Sequence, residues 1–468
     1  MINEFVSLVN NILWGDGQVL IIMLLACGIW FTVKLGGVQL RHFGHMFSLL
    51  KGSNTSTKDG ISSFQALCTS LSARVGTGNL AGVAVAISLG GSGAIFWMWM
   101  IALLGMATGF AESVLGQLYK VRDENGEFRG GPAYYIKQGL NKTWLAVAFS
   151  LCLFFGYGFV FSAVQANTIT DALNNAYSFP SEYVGLAIIA LAALIVIGGL
   201  RGIARFAEFV VPFMGIGYVL VALAITFINI SELPAMLLDI VKSAFGLQEA
   251  GAGALGAAIK NGIQRGLYSN EAGSGSVPHA AASAVPNPNH PVSQGYIQML
   301  GVFLDTLVLC TSTAFIILLA GGSSSDQMEG IRLTQDAMSS HLGEGGTDFV
   351  AAAISLFAFT SVVANYAYGE SNLHMFKLDN KIGRAVYTIG YLGMIYWGAQ
   401  AALPQVWAMA DMALGLMTVI NIIAIVWMTP TIVSISKDYF KKKDSGEKVE
   451  YKVGDCEIQG RSEDGVWD

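Results

Sequence analysis

The stretch "SARVGTGN", residues 72–79, places two glycines, an asparagine and an arginine inside a long apolar segment. A second stretch, "SNEAGSGS" at residues 269–276, aligns on it without gaps. Ser72 matches Ser269, and the two Gly-x-Gly pairs coincide. Glycine has high backbone freedom and low helix propensity. Both stretches therefore predict a helix that is broken in its middle.

The rest of the chain has the composition of a protein that resides in a lipid bilayer. Of its 468 residues, 53% are hydrophobic and only 12% are charged, whereas a soluble domain carries about a quarter charged residues. The apolar residues come in continuous blocks of about 20, which is the length that a helix needs to cross the hydrocarbon core. We therefore predict an all-α polytopic membrane protein.

We predict about eleven transmembrane helices, separated by polar connections. The spans are residues 17–36, 61–88, 93–119, 143–172, 182–200, 204–228, 251–285, 294–320, 347–373, 383–402 and 405–435. The predicted parts are an extra N-terminal helix with its connection (1–60), a first five-helix repeat (61–228), an extracellular amphipathic helix (229–250), a second five-helix repeat (251–435) and a cytoplasmic tail that is poorly ordered (436–468). Residues 120–142 form a loop or a re-entrant turn.

The positive charges indicate the orientation of the chain. One set of alternate connections carries Lys34, Arg41, Lys51, Lys58, Lys120, Arg122, Arg129, Lys137, Lys142, Arg201, Arg205, Lys377, Lys381 and Arg384, and the tail continues this set. The opposite connections carry only Lys242 and Arg332. Because positive residues stay inside, we expect a cell-membrane protein with its N-terminus outside and its C-terminus in the cytoplasm.

The two broken helices would cross the membrane in opposite directions, with five spans between their starting points. Two inverted five-helix repeats, each opening with a broken helix, have this arrangement. Chance similarity between glycine-rich stretches is one alternative. Another is that Gly76, Gly78, Gly273 and Gly275 only allow close helix packing.

A broken helix has a physical use at this depth. Its freed backbone groups are tolerated only where they line a cavity or meet a ligand. The N-terminus of a half-helix attracts an anion, and the C-terminus presents carbonyl oxygens to a cation. Arg74 and Glu271 occupy equivalent positions at the two breaks. We expect them to pair across the repeat axis, unless each reaches water separately.

Three stretches resemble the sodium:alanine symporter family (alanine/glycine:cation symporters). They are "GGSGAIFWMWMIALLG" at 90–105, "GTGNLAGVAVAI" at 76–87 and "GLYSNEAGSGSVPHAAA" at 266–282. The resemblance covers about residues 15–440. It implies a LeuT-type five-plus-five inverted repeat preceded by one extra helix, with the sodium ion as the cofactor.

The resemblance also implies a sodium site. Its ligands would be the carbonyl groups of Ser72 and Val75 and the hydroxyl groups of Thr360 and Ser361, because carbonyl and hydroxyl oxygens suit hard cations. Without the resemblance, a Thr-Ser pair in a membrane helix usually bonds back to its own helix.

Substrate contacts are expected at both breaks and on two further spans. The resemblance implies that amides of Thr77, Gly78 and Asn79 bind the substrate carboxylate. The Gln165 amide either binds substrate or packs between helices, and Asn365 faces the pocket or a gate. Small residues around Gly273 and Gly275 would let a small ligand approach the second break directly. The expected substrate-binding residues are thus Thr77, Gly78, Asn79, Gln165, Gly273, Gly275 and Asn365.

The sequence therefore predicts a secondary symporter that imports a small neutral amino acid, alanine or glycine, with sodium by alternating access. The nearest alternative is coupling to protons, with Glu271 as the carrier, and a more distant one is an integral membrane enzyme. The six histidines show no metal-ligand spacing, which argues against an enzyme. No block is basic enough to bind nucleic acid, and no obligate protein partner is evident.

Overall fold

The computed structural model describes residues 2–15, 18–54, 60–124, 126–247, 252–321 and 330–467. Within these ranges the chain is mostly helical. The first helices are α1 Ile2–Trp14, α2 Val19–Lys34, α3 Val38–Arg41, α4 Phe43–Ser48, α5 Ser63–Arg74, α6 Val83–Gly90, α7 Gly93–Leu118, α8 Pro132–Gly139, α9 Thr143–Phe155, α10 Phe161–Tyr177, α11 Ser181–Val196 and α12 Gly199–Ile228.

The second half continues in the same way. Its helices are α13 Leu233–Ala244, α14 Ala252–Asn270, α15 Val277–Ala282, α16 Pro291–Val302, α17 Thr311–Leu319, α18 Ile331–Leu342, α19 Gly345–Met375, α20 Lys381–Gln400, α21 Leu403–Trp427 and α22 Thr429–Ser445. Three π-helical segments, Gly78–Gly82, Gly156–Val160 and Phe303–Cys310, lead into α6, α10 and α17. The strands are β1 Ile61–Ser62, β2 Val121–Arg122, β3 Phe128–Arg129 and β4 Ala284–Val285.

Six helices in the described part of the chain are long and apolar enough to cross a membrane. They are Gly93–Leu118, Thr143–Tyr177, Gly199–Ile228, Pro291–Leu319, Gly345–Met375 and Leu403–Trp427. A bent pair, Asn3–Trp14 with Val19–Lys34, would make a seventh. These helices make the chain a multi-pass membrane protein.

The predicted number of eleven spans stays a prediction. Helices lie at every predicted span, but several are too short or too polar to qualify by length and composition. Two predicted spans, 61–88 and 251–285, are divided by their breaks. Another is only the short apolar helix Ser181–Val196.

Both breaks lie at the predicted positions. Helix α5 ends at Arg74 and α14 ends at Asn270, one aligned position earlier. Strands β1 and β4 pair in parallel, with Ile61 beside Ala284. The pairing places the beginning of the first broken segment beside the end of the second, as opposite directions require.

Helix α7 is the central helix against which the second broken segment packs. It contacts α14, α15 and α16. A Cβ on Gly262 would lie 2.4 Å from the Ala94 carbonyl oxygen, and one on Gly266 would lie 2.6 Å from Ile101. Close helix packing is thus the role of these two glycines of α14. The predicted amphipathic helix is also present as α13, and its Ala244 carbonyl accepts a hydrogen bond from Trp97 on α7 (3.1 Å).

The prediction of a poorly ordered tail was wrong. Tyr451 and Trp467 are each only 2% exposed. The Trp467 indole donates to the Leu118 carbonyl at the end of α7 (3.2 Å), and the Tyr119 hydroxyl donates to the Gln459 carbonyl. The tail folds back because its aromatic side chains find apolar surface there, which its charged composition concealed.

Candidate ion and substrate site

The first break exposes two carbonyl groups that a continuous helix would have satisfied. In such a helix the Gly76 amide would bond to the Ser72 carbonyl, but here it donates to the Asn79 side-chain oxygen (3.1 Å). Likewise the Asn79 amide donates to Gly76 (3.3 Å) rather than to Val75. The asparagine side chain and the glycine backbone thus release the Ser72 and Val75 carbonyls from the helix.

These carbonyls face the Ser361 hydroxyl on α19. Ser361 Oγ lies 2.9 Å from the Ser72 oxygen, 3.3 Å from the Val75 oxygen and 3.2 Å from the Phe357 oxygen. A hydroxyl can donate only one hydrogen bond. At most one of these three carbonyl oxygens can therefore accept from Ser361 at a time, and the lone pairs of the others are left without a donor from this hydroxyl. Converging neutral oxygens of this kind fit an alkali cation. The structure brings together three of the predicted sodium ligands: Ser72, Val75 and Ser361.

Thr360 lies beside this oxygen cluster but is oriented differently. Its hydroxyl donates to the Phe357 carbonyl (2.8 Å), as expected for a threonine that bonds back to its own helix. It also faces the Met214 sulfur at 3.9 Å. Thr360 therefore shares one carbonyl with Ser361, and its role as an ion ligand stays a prediction.

Gln165 on α10 reaches the same break. Its side-chain oxygen accepts hydrogen bonds from the Thr77 amide (2.9 Å) and the Thr77 hydroxyl (2.8 Å). A Cβ on Gly76 would lie 2.4 Å from Ser361 Oγ and 2.6 Å from Gln165 Oε1. Gly76 therefore separates the oxygen cluster from the Gln165 contact, and only a residue without a side chain fits between them.

Asn79 faces away from Gln165 into a second buried polar cluster. Its side-chain nitrogen donates to Asp305 Oδ1 (2.8 Å). Ser269 and Thr306 donate to the other Asp305 oxygen at 2.7 and 2.8 Å. Asp305 is fully buried, and these three donors are neutral. Gly78 packs beside this cluster, because a Cβ on it would lie 3.1 Å from Ser269 Cα.

The amides of the second break bind a carboxylate of the protein itself. Glu112 on α7 accepts hydrogen bonds from the Gly273 and Gly275 amides, each at 3.1 Å, and from the Asn421 side chain at 2.8 Å. Both glycines have positive φ, 92° and 85°, which other residues rarely adopt. A ligand could reach these two amides only by displacing Glu112, so their predicted substrate role stays a prediction.

The prediction that Arg74 and Glu271 form an ion pair was wrong. No carboxylate lies within 4.0 Å of the Arg74 guanidinium among the ion pairs of the described residues. Arg74 instead points at the Gln298 carbonyl (3.5 Å), and Glu271 accepts from the Ser276 hydroxyl (2.6 Å). The two side chains line one narrow internal cavity together with Gln165 and Asn365. They do not pair, because each is bonded to a group near its own break or on α16.

Two groups of this region were not identified from the sequence as ligands. The Phe357 carbonyl carries no side-chain signal, although a position three before a Thr-Ser pair on a helix lies on the same face. Asp305 is the second such group. Its signal was the presence of an ionisable side chain in a membrane span, which is a functional candidate by default.

These features define a multi-pass membrane protein with two broken helices around a buried polar site. The sodium:alanine symporter family model matches residues 1–453. GlnT of Bacillus subtilis (strain 168), described as a probable sodium/glutamine symporter, is 46% identical over 96% of this chain and 92% of its own.

Two further relatives are similar over nearly their whole length. YrbD of Bacillus subtilis (strain 168), whose name is "Putative sodium/proton-dependent alanine carrier protein", is 40% identical over 95% of this chain and 93% of its own. The sodium/alanine symporter AgcS of Methanococcus maripaludis is 37% identical over 93% of this chain and 97% of its own. The chain belongs to the sodium:alanine symporter family, whose members are transporters rather than enzymes. Amino-acid symport with a cation is thus its class of function.

Proposed function

We propose that this protein imports a small neutral amino acid, alanine or glycine, together with sodium by alternating access. The convergence of the Ser72, Val75 and Phe357 carbonyls on the Ser361 hydroxyl carries the proposal. The two breaks and the β1–β4 pairing support a LeuT-type inverted repeat with one preceding helix. The bias of positive charges supports an outside N-terminus and a cytoplasmic C-terminus.

Sodium would bind where the first broken helix meets α19. The bound ion, rather than the Ser361 O–H group, would contact the converging carbonyl oxygens. It would thereby link the first broken helix to α19. Because the Gly76 backbone lies between the ion and Thr77, ion binding would also position the Thr77 amide and hydroxyl. This contiguity is a direct route for coupling ion and substrate.

The substrate carboxylate would take the place of the Gln165 oxygen at Thr77. Gln165 already supplies an oxygen acceptor to both Thr77 donors, so an anionic oxygen of a ligand would find the same two bonds. Asn365 lines the adjoining cavity. Four further predicted residues would contact the substrate only after neighbouring protein groups move away, because those groups now occupy the space beside them. They are Gly78, Asn79, Gly273 and Gly275.

A serine-to-alanine pair tests the ion site. Ser361→Ala should raise the sodium concentration for half-maximal alanine uptake into proteoliposomes at least tenfold, because one oxygen ligand is lost. Ser355→Ala is the matched control, since this hydroxyl on the same helix has no hydrogen-bond partner among the described residues. Thr360→Ala should have a smaller effect than Ser361→Ala. Normal sodium dependence in Ser361→Ala would contradict the ion site.

The narrow cavity supports the proposed substrate class, which a competition assay tests. Alanine and glycine should inhibit uptake of labelled alanine most strongly, serine next, and bulky or charged residues least. Stronger inhibition by leucine, glutamate, lysine or glutamine than by glycine would refute the assignment. Glutamine belongs in the panel because GlnT is described as a glutamine symporter.

Proton coupling is the second candidate, because Glu271 is a buried carboxylate that lines the cavity. YrbD is described as sodium/proton-dependent. Uptake driven separately by sodium, potassium or pH gradients distinguishes the two. Sodium coupling requires uptake with a sodium gradient alone, and uptake driven only by the pH gradient would favour Glu271 as the carrier.

A further inference from the structure

The narrow cavity between the two breaks contains unsatisfied polar atoms. It is lined by Arg74 and Glu271 from the broken segments, by Gln165 and Asn365 from α10 and α19, and by Tyr157 and Tyr268. Arg74 Nε and Nη2, Asn365 Oδ1 and the Tyr268 hydroxyl have no hydrogen-bond partner among the described residues. Buried polar groups are almost always paired, so several unpaired groups around one cavity indicate a ligand.

Among the described residues, the Arg74 guanidinium makes a hydrogen bond through one of its three nitrogen atoms. Its Nη1 atom points at Gln298 beside Gly301, where an added Cβ would lie 2.3 Å away. Arg74 is only 2% exposed, and the Nε and Nη2 edge of its guanidinium carries two donors in a fork that matches a carboxylate. Among the ion pairs of the described residues, no carboxylate lies within 4.0 Å of it, and a buried charge without a close partner is costly, so an anionic ligand would be stabilised here.

Glu271 supplies the opposite charge from the second break. Its backbone has φ of 58°, in the left-handed region that few residues other than glycine adopt. The Ser274 amide and hydroxyl hold this turn by donating to the Glu271 carbonyl at 3.0 and 2.7 Å. Strained backbone that its surroundings impose is common at functional sites. Here the strain fixes the carboxylate at the cavity.

From this arrangement we propose that Arg74 binds the α-carboxylate of the transported amino acid and Glu271 binds its α-ammonium. Both charges lie at one cavity without pairing with each other, so a zwitterion would neutralise both at once. The rings of Tyr157 and Tyr268 limit the space for a side chain. The inference rests on the proposed function, in which one carboxylate oxygen accepts from Thr77. Arg74 would donate to the other carboxylate oxygen and Glu271 would bind the ammonium, so the two are added as specificity-determining residues.

The wild-type protein provides the first test, by thermal stabilisation of the purified transporter in the presence of sodium. Alanine should bind at least tenfold more tightly than alaninamide, which lacks the carboxylate, and than propionate, which lacks the ammonium. Equal binding of either analogue would overturn the proposal. Absence of binding and of uptake for every neutral amino acid would instead refute the proposed function.

Charge-removing variants assign each group. Arg74→Gln should weaken alanine binding at least tenfold and change alaninamide binding less than threefold, so that the preference for the carboxylate is lost. Glu271→Gln should likewise weaken alanine binding at least tenfold and change propionate binding less than threefold, so that the preference for the ammonium is lost. Arg332→Gln, in an exposed pair with Asp171, is the matched control and should keep both preferences. An unchanged preference in Arg74→Gln or Glu271→Gln, or an equal loss for alanine and its analogue, would overturn the assignment.

A charge-conserving series covers variants that fail to fold. Arg74→Lys and Glu271→Asp should retain both preferences with weaker alanine binding, because charge is kept and geometry is changed. Sodium-induced stabilisation through Ser361 reports folding independently of the substrate. If these variants fold and bind alanine as the wild type does, neither side chain makes the proposed close contact.

Discussion

Gly76 offers the sharpest test of the site, because one added methyl group would reach both halves of it. In Gly76→Ala the new Cβ would lie 2.4 Å from Ser361 Oγ and 2.6 Å from Gln165 Oε1. Neither distance is tolerable, so both side chains must move. Ser361 can move only by rotating its hydroxyl out of the oxygen cluster, and Gln165 only by leaving Thr77. The cost should therefore fall on binding more than on folding.

The size of the effect follows from the cost of an extra methyl group in a packed site. Such overpacking costs about 1–3 kcal/mol. At 1.4 kcal/mol per factor of ten, binding should weaken about 5- to 140-fold. A graded series is available on the same segment. The nearest atom to an added Cβ lies at 3.1 Å for Gly78 and at 3.7 Å for Gly82. We expect Gly76→Ala to be the most harmful, Gly78→Ala intermediate and Gly82→Ala nearly neutral.

The assay is sodium-dependent binding of alanine to purified protein, with thermal stability measured on the same samples. Gly76→Ala should show raised half-saturation for both sodium and alanine at nearly unchanged melting temperature. Gly82→Ala should resemble the wild type in all three quantities. Wild-type affinities in Gly76→Ala would refute the placement of both ligands at the first break. Equal losses in Gly76→Ala and Gly82→Ala would show that the segment responds to helix propensity alone.

Three further predictions concern stability. Glu112→Gln leaves one acceptor oxygen for the three donors at the second break. The variant should lose about 1–3 kcal/mol of folding free energy and melt at a lower temperature, and an unchanged melting temperature would contradict the role of Glu112. Burial lowers the pKa of His290 to about 4 although Asp438 opposes it, so the unfolded chain binds more protons. The contribution of His290 to the folding free energy is fully present above pH 6.5 and should fall by about 2 kcal/mol by pH 5. Proteolysis of the tail should increase over this pH range, and His290→Gln should abolish this pH dependence. Trp467→Ala should release the tail at a cost of about 3–5 kcal/mol, measured as faster proteolysis, whereas Val453→Ala, at a residue 52% exposed, should not; equal proteolysis of both variants would contradict the docking of Trp467.

The breaks could be predicted because they depend on local backbone chemistry. Gly76 and Gly78 weaken the helix wherever the segment is placed, and the aligned glycines of the second copy do the same. The family resemblance, rather than the local sequence, implied that the Thr-Ser pair on α19 faces the ion site, and Ser361 does contact the released carbonyls of Ser72 and Val75. Composition and block length were enough for the helical membrane class, because spanning a bilayer constrains every residue of a span in the same way.

The partners of the polar groups depended on the tertiary structure. Glu112 reaches Gly273 from 161 residues away, and Asn79 turns to Asp305 rather than to Gln165. Arg74 and Glu271 are equivalent in the alignment but face a shared cavity instead of each other. These partners depend on the rotation of each helix about its axis and on its distance from its neighbours. Both are determined by many weak packing contacts along the helix. Local sequence determines where a helix breaks, whereas only packing determines which side chain fills the break.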